Sequence, residues 1–133
     1  MSRGIVMSKI MGCSLVIKDD FENVLILQKK VKKQEPEEWS LVNSKLRGKE
    51  SYEKSINRGI KDCIKALAFD LEQVGEYIVD EENDESVMVF KANIKEKPIL
   101  DKAFIDYRWI SKNQVVNYNL KEYEKAALLD CFK

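Results

Sequence analysis

The chain has no histidine among its 133 residues. That one gap removes the commonest general base, most zinc sites and every serine–histidine type of triad. Cysteine is scarce as well. Cys13, Cys63 and Cys131 are an odd number, widely separated, with no CxxC pair; free thiols in a reducing cytosol fit this pattern, and a disulfide framework or zinc site does not. There is no excess of charge of either sign: 23 Lys plus Arg face 23 Asp plus Glu, so no global field draws the chain to nucleic acid or to a membrane surface. No apolar run approaches the roughly 20 residues of a transmembrane helix, and the opening stretch MSRGIVMSKIMG lacks the apolar core of a secretory signal. A cytoplasmic location is therefore expected. Any catalysis is left to carboxylates, lysines, tyrosines, thiols or a hard metal ion.

What is present is the pattern of one globular domain, with 44% apolar and 35% charged residues. The segment 9–18 (KIMGCSLVIK) alternates loosely and stops at Asp19-Asp20, a turn signal, so a strand is expected there. The segment 23–30 (NVLILQKK) is a second strand, expected to form a hairpin with the first. A polar stretch with Pro36 then makes a loop. Trp39 to Val42 reads as a short strand, and Asn43-Ser44 as a break. Ser51 is a good N-cap, and Tyr52, Ile56, Ile60, Cys63, Ile64 and Leu67 form one apolar arc at helical spacing. Further strands are expected over 73–79, over 86–94 as a central one, and over 104–110 with Ile105, Tyr107 and Trp109 on one face. Ser111 with Gln114, then Asn119 with Glu122, each reads as a capping box opening a helix, and Leu120, Tyr123, Ala127 and Cys131 share a stripe on the second. The order implies an α+β fold.

At about 100° per residue, positions 59, 62, 63 and 66 lie in one stripe beside the apolar arc. Acids in such a stripe would converge on one point and hold Mg²⁺ through two or three oxygens. The stripe holds Gly59, Asp62, Cys63 and Ala66, with Glu50 just ahead of the helix.

Spacing and flanks here resemble the Nudix box, G-x5-E-x7-R-E-U-x-E-E-x-G-U, where U is a bulky apolar residue. Laid on the chain without a gap, the first glycine falls on Ser44, the box glutamate on Glu50 and the arginine on Arg58. The next glutamate falls on Gly59, the apolar position on Ile60 and the paired glutamates on Asp62 and Cys63. Lys65 and Ala66 end the box. Ahead of it, Trp39-Ser40-Leu41 resembles the family's W-x-L, and Val42-Asn43-Ser44 stands where the family has P-G-G. The strand 25–30 with its basic end and the corner at 107–111 extend the likeness over nearly all of residues 9–132.

The resemblance implies a single Nudix-like domain over 1–133, its first eight or so residues loose, with a mixed β-sheet sandwiched between the box helix and C-terminal helices. It implies that acids at the positions of Gly59, Asp62 and Cys63 would bind a divalent metal, and that Arg58 steadies Glu50. Glu50, Arg58 and Asp62 are then the remnant of the catalytic set, with Glu50 and Asp62 as metal ligands. The cofactor would be Mg²⁺ or Mn²⁺ if the chain is active, and the partner a small nucleoside diphosphate derivative. Loss of two of three helix carboxylates should weaken metal binding, and a thiol is too soft a ligand to replace one. The expected function is that of a Nudix-like protein, impaired or inactive toward diphosphate-linked substrates, that retains nucleotide or phosphate binding. A divergent active pyrophosphohydrolase and a non-catalytic interaction module are the alternatives.

Each candidate has a plainer reading. Glu50 with Arg58 is either a working remnant or an ion pair pinning loop to helix, and the ion pair is preferred. Lys29, Lys30, Lys32 and Lys33 either receive phosphates or simply make a basic strand end and loop, and Trp39 either stacks on a base or is partly core, with the plainer reading preferred for each. Acids at 80–85, Asp101 and Asp106 either complete a metal site or are solvated. Gly59, which costs a helix about 1 kcal/mol relative to alanine, either admits a close neighbour or marks drift, with drift preferred.

Overall fold

The computed structural model describes residues 9–132; the expected looseness of the N-terminal residues falls on positions outside them. Two sheets are built from seven strands. β1 (Lys9–Ile17), β4 (Val42–Lys45), β5 (Phe69–Asp80) and β6 (Glu85–Asn93) form a four-stranded mixed sheet in the order β4-β1-β6-β5. β2 (Val24–Lys29), β3 (Trp39–Ser40) and β7 (Phe104–Ile110) form a three-stranded antiparallel sheet in the order β3-β2-β7. One helix, α1 (Tyr52–Ile64), covers one face; a 3-10 turn (Lys112–Asn117) and α2 (Glu122–Asp130) cover the other.

Alternation along the strands creates both cores. Cys13, Leu15 and Ile17 of β1 meet Ile56, Ile60 and Ile64 of α1, together with Leu25, Leu27, Met88 and Phe90. The intervening Val16, with Val24, Ile26 and Val89, meets Val115, Leu120, Ala127 and Leu128 on the opposite side. The helix–sheet–helix sandwich is thus as expected, but the sheet is two sheets.

That split overturns the hairpin expected of β1 and β2. β1 pairs with β4 antiparallel and with β6 in parallel, while β2 pairs with β3 and β7. Both edges of β1 are occupied, so the turn Asp19–Asn23, which Asp19 Oδ1 closes by accepting from the Phe21 and Asn23 amides, leaves only the bridge Lys18↔Val24. The expected break at Asn43-Ser44 is also strand. Trp39-Ser40 pair with β2, the chain crosses at Leu41, and Asn43 and Ser44 then pair with Ser14 and Cys13. The two halves of this stretch therefore belong to different sheets.

Three smaller differences have local causes. α1 ends at Ile64, not Leu67: Lys65 turns left-handed at φ 53°, and the Ile99 and Asp101 amides donate to the Ile64 and Cys63 carbonyls, capping the end from outside. Leu67 is exposed. In β7 the register skips Ile105, which is exposed, so Phe104 joins Tyr107 and Trp109 against the α1 core. The Ser111–Gln114 box is present, but α2 opens two residues later than expected, with Glu124 accepting from the Lys121 amide while Asn119 Nδ2 donates to the Glu37 carbonyl.

Candidate functional site

Ser51 caps α1 by accepting from the Lys54 amide at 3.1 Å, and three isoleucines anchor the helix from behind. This fixes the direction in which residues 58, 59, 62 and 63 point. Arg58 ion-pairs with Glu50 and donates to the Lys45 carbonyl at 2.7 Å; Glu50 Oε1 also accepts from the Arg47 amide at 2.8 Å. Burial raises the Glu50 pKa, but the hydrogen bonds from Arg58 and Arg47 and the two guanidinium charges outweigh it and leave it below the usual value. The two residues thus pair loop to helix, an arrangement that both readings of them share.

Gly59 has a physical explanation, and it is the close neighbour rather than drift. A Cβ built on Gly59 would lie 2.8 Å from the Ser44 Cβ and 3.4 Å from the Asn43 carbonyl oxygen. Ser44 Oγ lies 2.7 Å from the buried Ser55 Oγ, which fixes the serine against the helix. In the box pattern the bulky member of this pair is at 59 and the glycine at 44. Here the two are exchanged, and the side chain of Ser44 stands in the path a residue-59 side chain would take.

The other box positions follow. The Cys63 thiol lies 3.9 Å from the Asn43 carbonyl, and its pKa is pushed up to about 11 by burial first, with the Asp62 and Asp101 charges adding to it. Asp62 is exposed and borders a cavity with Lys61, Lys65, Glu96 and Asp101. Asp101 therefore does come to the helix end, with Glu96, which the sequence did not single out. Asp106 is elsewhere, in β7, beside Arg108. The acids at 80–85 make the β5–β6 turn, where Asp80 accepts from Asn83. Among the described residues no three Asp, Glu, Cys or His side chains gather closely enough to hold a metal. Glu50 and Asp62 border different cavities. This donor set does not fit Mg²⁺ or Mn²⁺.

Lys29 and Lys30 border a cavity with Lys32, but Lys29 is paired with Glu38 at 3.1 Å. Trp39 is core, 2% exposed: Nε1 donates to Glu37, Tyr118 packs edge-on at 5.1 Å and Arg108 covers the ring at 5.4 Å. No ring face is left for a base.

A cleft that the sequence did not indicate opens between β1, β4 and the start of α2. It is about 340 Å³ in volume, and its polar walls are Ser14, Asn43, Lys45, Lys121 and Tyr123. Ser14 Oγ donates to Asn43 Oδ1 and lies 3.1 Å from the Tyr123 hydroxyl. Beneath it Glu124, fully buried, accepts from the Leu41 amide at 2.8 Å and from Asn43 Nδ2 at 3.3 Å. Burial, then the Glu124 charge, pushes the Tyr123 pKa up to about 12, so its hydroxyl is a donor at neutral pH. No spacing rule joins residues 14, 43 and 123: Ser14 interrupts the apolar run of β1, Asn43 reads as a break, and Tyr123 reads as part of the apolar stripe of the last helix.

Solved structures share this fold. The chain superposes on a MutT NUDIX hydrolase from Burkholderia pseudomallei with a TM-score of 0.76 at 16% identity, over 90% of this chain and 96% of the other. A MutT protein from Methanosarcina mazei gives 0.69 at 15%, over 97% and 96%. A NUDIX hydrolase from Nitrosomonas europaea gives 0.69 at 13%, over 92% and 88%. No family model and no curated protein matches the sequence. Among the described residues no helix is long and apolar enough to cross a membrane.

Proposed function

With the Nudix hydrolase fold as the premise, we propose that this chain binds a nucleotide-like ligand and does not hydrolyse it through a divalent metal. The observation that carries the reading is the Ser44 side chain, 2.8 Å from where a Gly59 Cβ would stand. The place of a metal-binding carboxylate is filled from the strand side, not merely emptied. Asp62 is left without the oxygen ligands a hard cation needs.

The ligand would occupy the cleft at Ser14, Asn43 and Tyr123. Asn43 and the two hydroxyls offer donors and acceptors to a heterocycle edge, and Lys45 and Lys121 offer charge to a phosphate. The buried Glu124 holds Asn43 in place, so the recognising amide is pre-set before binding.

Two measurements test this. Nucleoside diphosphates in metal-free buffer should raise the melting temperature, and Asn43→Ala should abolish the shift; no shift at millimolar ligand rejects the binding. For the metal, a Mn²⁺ titration should show no binding to the wild type or to Gly59→Glu/Cys63→Glu. The triple variant with Ser44→Gly added should bind it, because only then is there room for the new carboxylate. Mn²⁺-dependent phosphate release by the wild type, lost in Asp62→Ala, would instead establish an active hydrolase.

A further inference from the structure

β5 lies at one edge of the four-stranded sheet, with β6 on its inner side and no strand on its outer side. In an antiparallel pair every second residue turns its N–H and C=O away from the neighbour. An edge strand therefore presents a row of backbone groups that a further strand can take. Among the described residues no backbone hydrogen bond from outside the sheet reaches residues 69–80. Pairing with β6 is regular over residues 75–78, and the register shifts on either side, at Gln73/Gly75 and at Ile78/Asp80. The regular edge is short, because each shift bends the strand.

This short edge is held from within. Val74 and Tyr77 pack against the core under α2, and the Tyr77 hydroxyl donates to Asp130 of that helix. Glu76 and Ile78 stand opposite Met88 and Ser86 of β6, and Met88 belongs to the core under α1. Directly paired residues share a face, so Glu76 and Ile78 are both on the α1 side of the sheet. Both are nevertheless exposed, Ile78 at 55%. α1 packs on β1 and β4, and its cover stops short of β5.

The charge of the edge selects its occupant. β5 carries Asp70, Glu72, Glu76 and Asp80 and no lysine or arginine, in a chain of zero net charge. Glu72 is paired with Lys91, and Asp70 and Asp80 accept from Asn93 and Asn83. Among the described residues Glu76 makes neither an ion pair nor a side-chain hydrogen bond. A second copy laid on this edge would set acids against acids, with no cation of β5 to offset them, and like charges across a strand pair are destabilising. A strand that carries positive charge meets no such opposition.

We propose that residues 75–78 dock an extended segment of a partner protein as an added strand, a segment with a lysine or arginine and an apolar residue two positions apart. The backbone of β5 holds the segment, whose cation lies against Glu76 and whose apolar side chain lies against Ile78. No residue of β5 lines the cleft at Ser14, Asn43 and Tyr123, so this docking stands or falls apart from ligand binding there.

The test is an amide chemical-shift titration of the whole chain with a short peptide repeating Thr-Lys-Thr-Val, which sets lysine and valine on one face. Saturable shifts are expected at residues 75–79. Glu76→Lys should weaken binding about fivefold or more, since an opposite-charge cross-strand pair becomes a like-charge one. The fully N-methylated peptide, which keeps the charge and loses every backbone donor, should not bind, and a Thr-Glu-Thr-Val peptide should bind distinctly less. Absence of saturable shifts at residues 75–79 overturns the proposal. So does equal affinity for the N-methylated peptide, for the glutamate peptide, or in Glu76→Lys. Shifts at the same residues on concentrating the protein alone would assign the edge to a second copy and overturn it as well.

Discussion

Two carboxylates hold the two ends of β4, and they do so by different means. Glu50 secures the outgoing end through Arg58, whose guanidinium also reaches the Lys45 carbonyl. Glu124 secures the incoming end with no ion pair: it accepts from the Leu41 and Lys121 amides and from the Asn43 side chain, fully buried. The first clamp is a charge pair at the surface of a turn; the second is a buried acceptor serving two backbone donors. Between them β4 is pressed on α1 closely enough that Ser44 and Gly59 share one space. The strand, and with it the closure of the box face, is therefore held from both ends, by a buried clamp as well as by the motif's ion pair.

The comparison is broken most directly at Glu124. Glu124→Ala leaves the buried Leu41 amide without its acceptor and also removes the acceptor of the part-buried Lys121 amide and Asn43 side chain; a buried group left unpaired costs about 1–3 kcal/mol. A loss of roughly 3–5 kcal/mol in urea denaturation is expected, with Glu124→Gln, which keeps an acceptor oxygen, losing distinctly less. An alanine variant within about 1 kcal/mol of wild type would show that the buried clamp is dispensable.

Glu50→Gln should cost less than Glu124→Ala and should depend on pH. The folded-state pKa of Glu50 is below its unfolded value. Its contribution is therefore fully present above the unfolded value of about 4.3 and is lost as pH falls through the lower folded value. Wild type and Glu50→Gln should differ at pH 7 and converge in acid. A gap that stays constant down to the folded pKa and below it would mean that Glu50 acts through packing and not through its charge.

The smallest effect sharpens the account of the shared space. Gly59→Ala would ordinarily gain about 1 kcal/mol of helix propensity. Against Ser44 the added methyl has no room, so the gain should be absent in the wild-type background and return in Ser44→Gly. Equal gains in both backgrounds would mean that the two residues do not compete.

How much of this was legible in the sequence differs by element. α1 was readable because its apolar spacing and Ser51 cap are local signals, and Glu50–Arg58 because a gapless box pattern carries it. The hairpin of β1 and β2 was misread because a short turn says which strands follow one another, not which edges are already filled. Glu124 was passed over because an acid on a short helix looks solvated until β4 is placed above it. Trp39 was read as core more readily than as a ligand contact, and Arg108 and Tyr118, brought from β7 and the segment before α2, fill the space around its ring.

The sequence by itself determined the α+β class, the box helix and the thinning of its acids, since each is written in residue types at fixed spacing along one segment. Only the tertiary structure decided what stands beside Gly59. Whether Gly59 is an empty place or an occupied one depends on Ser44, fifteen positions earlier, and on how tightly β4 is clamped to the helix. That is a matter of distance across the fold, and no local pattern encodes it.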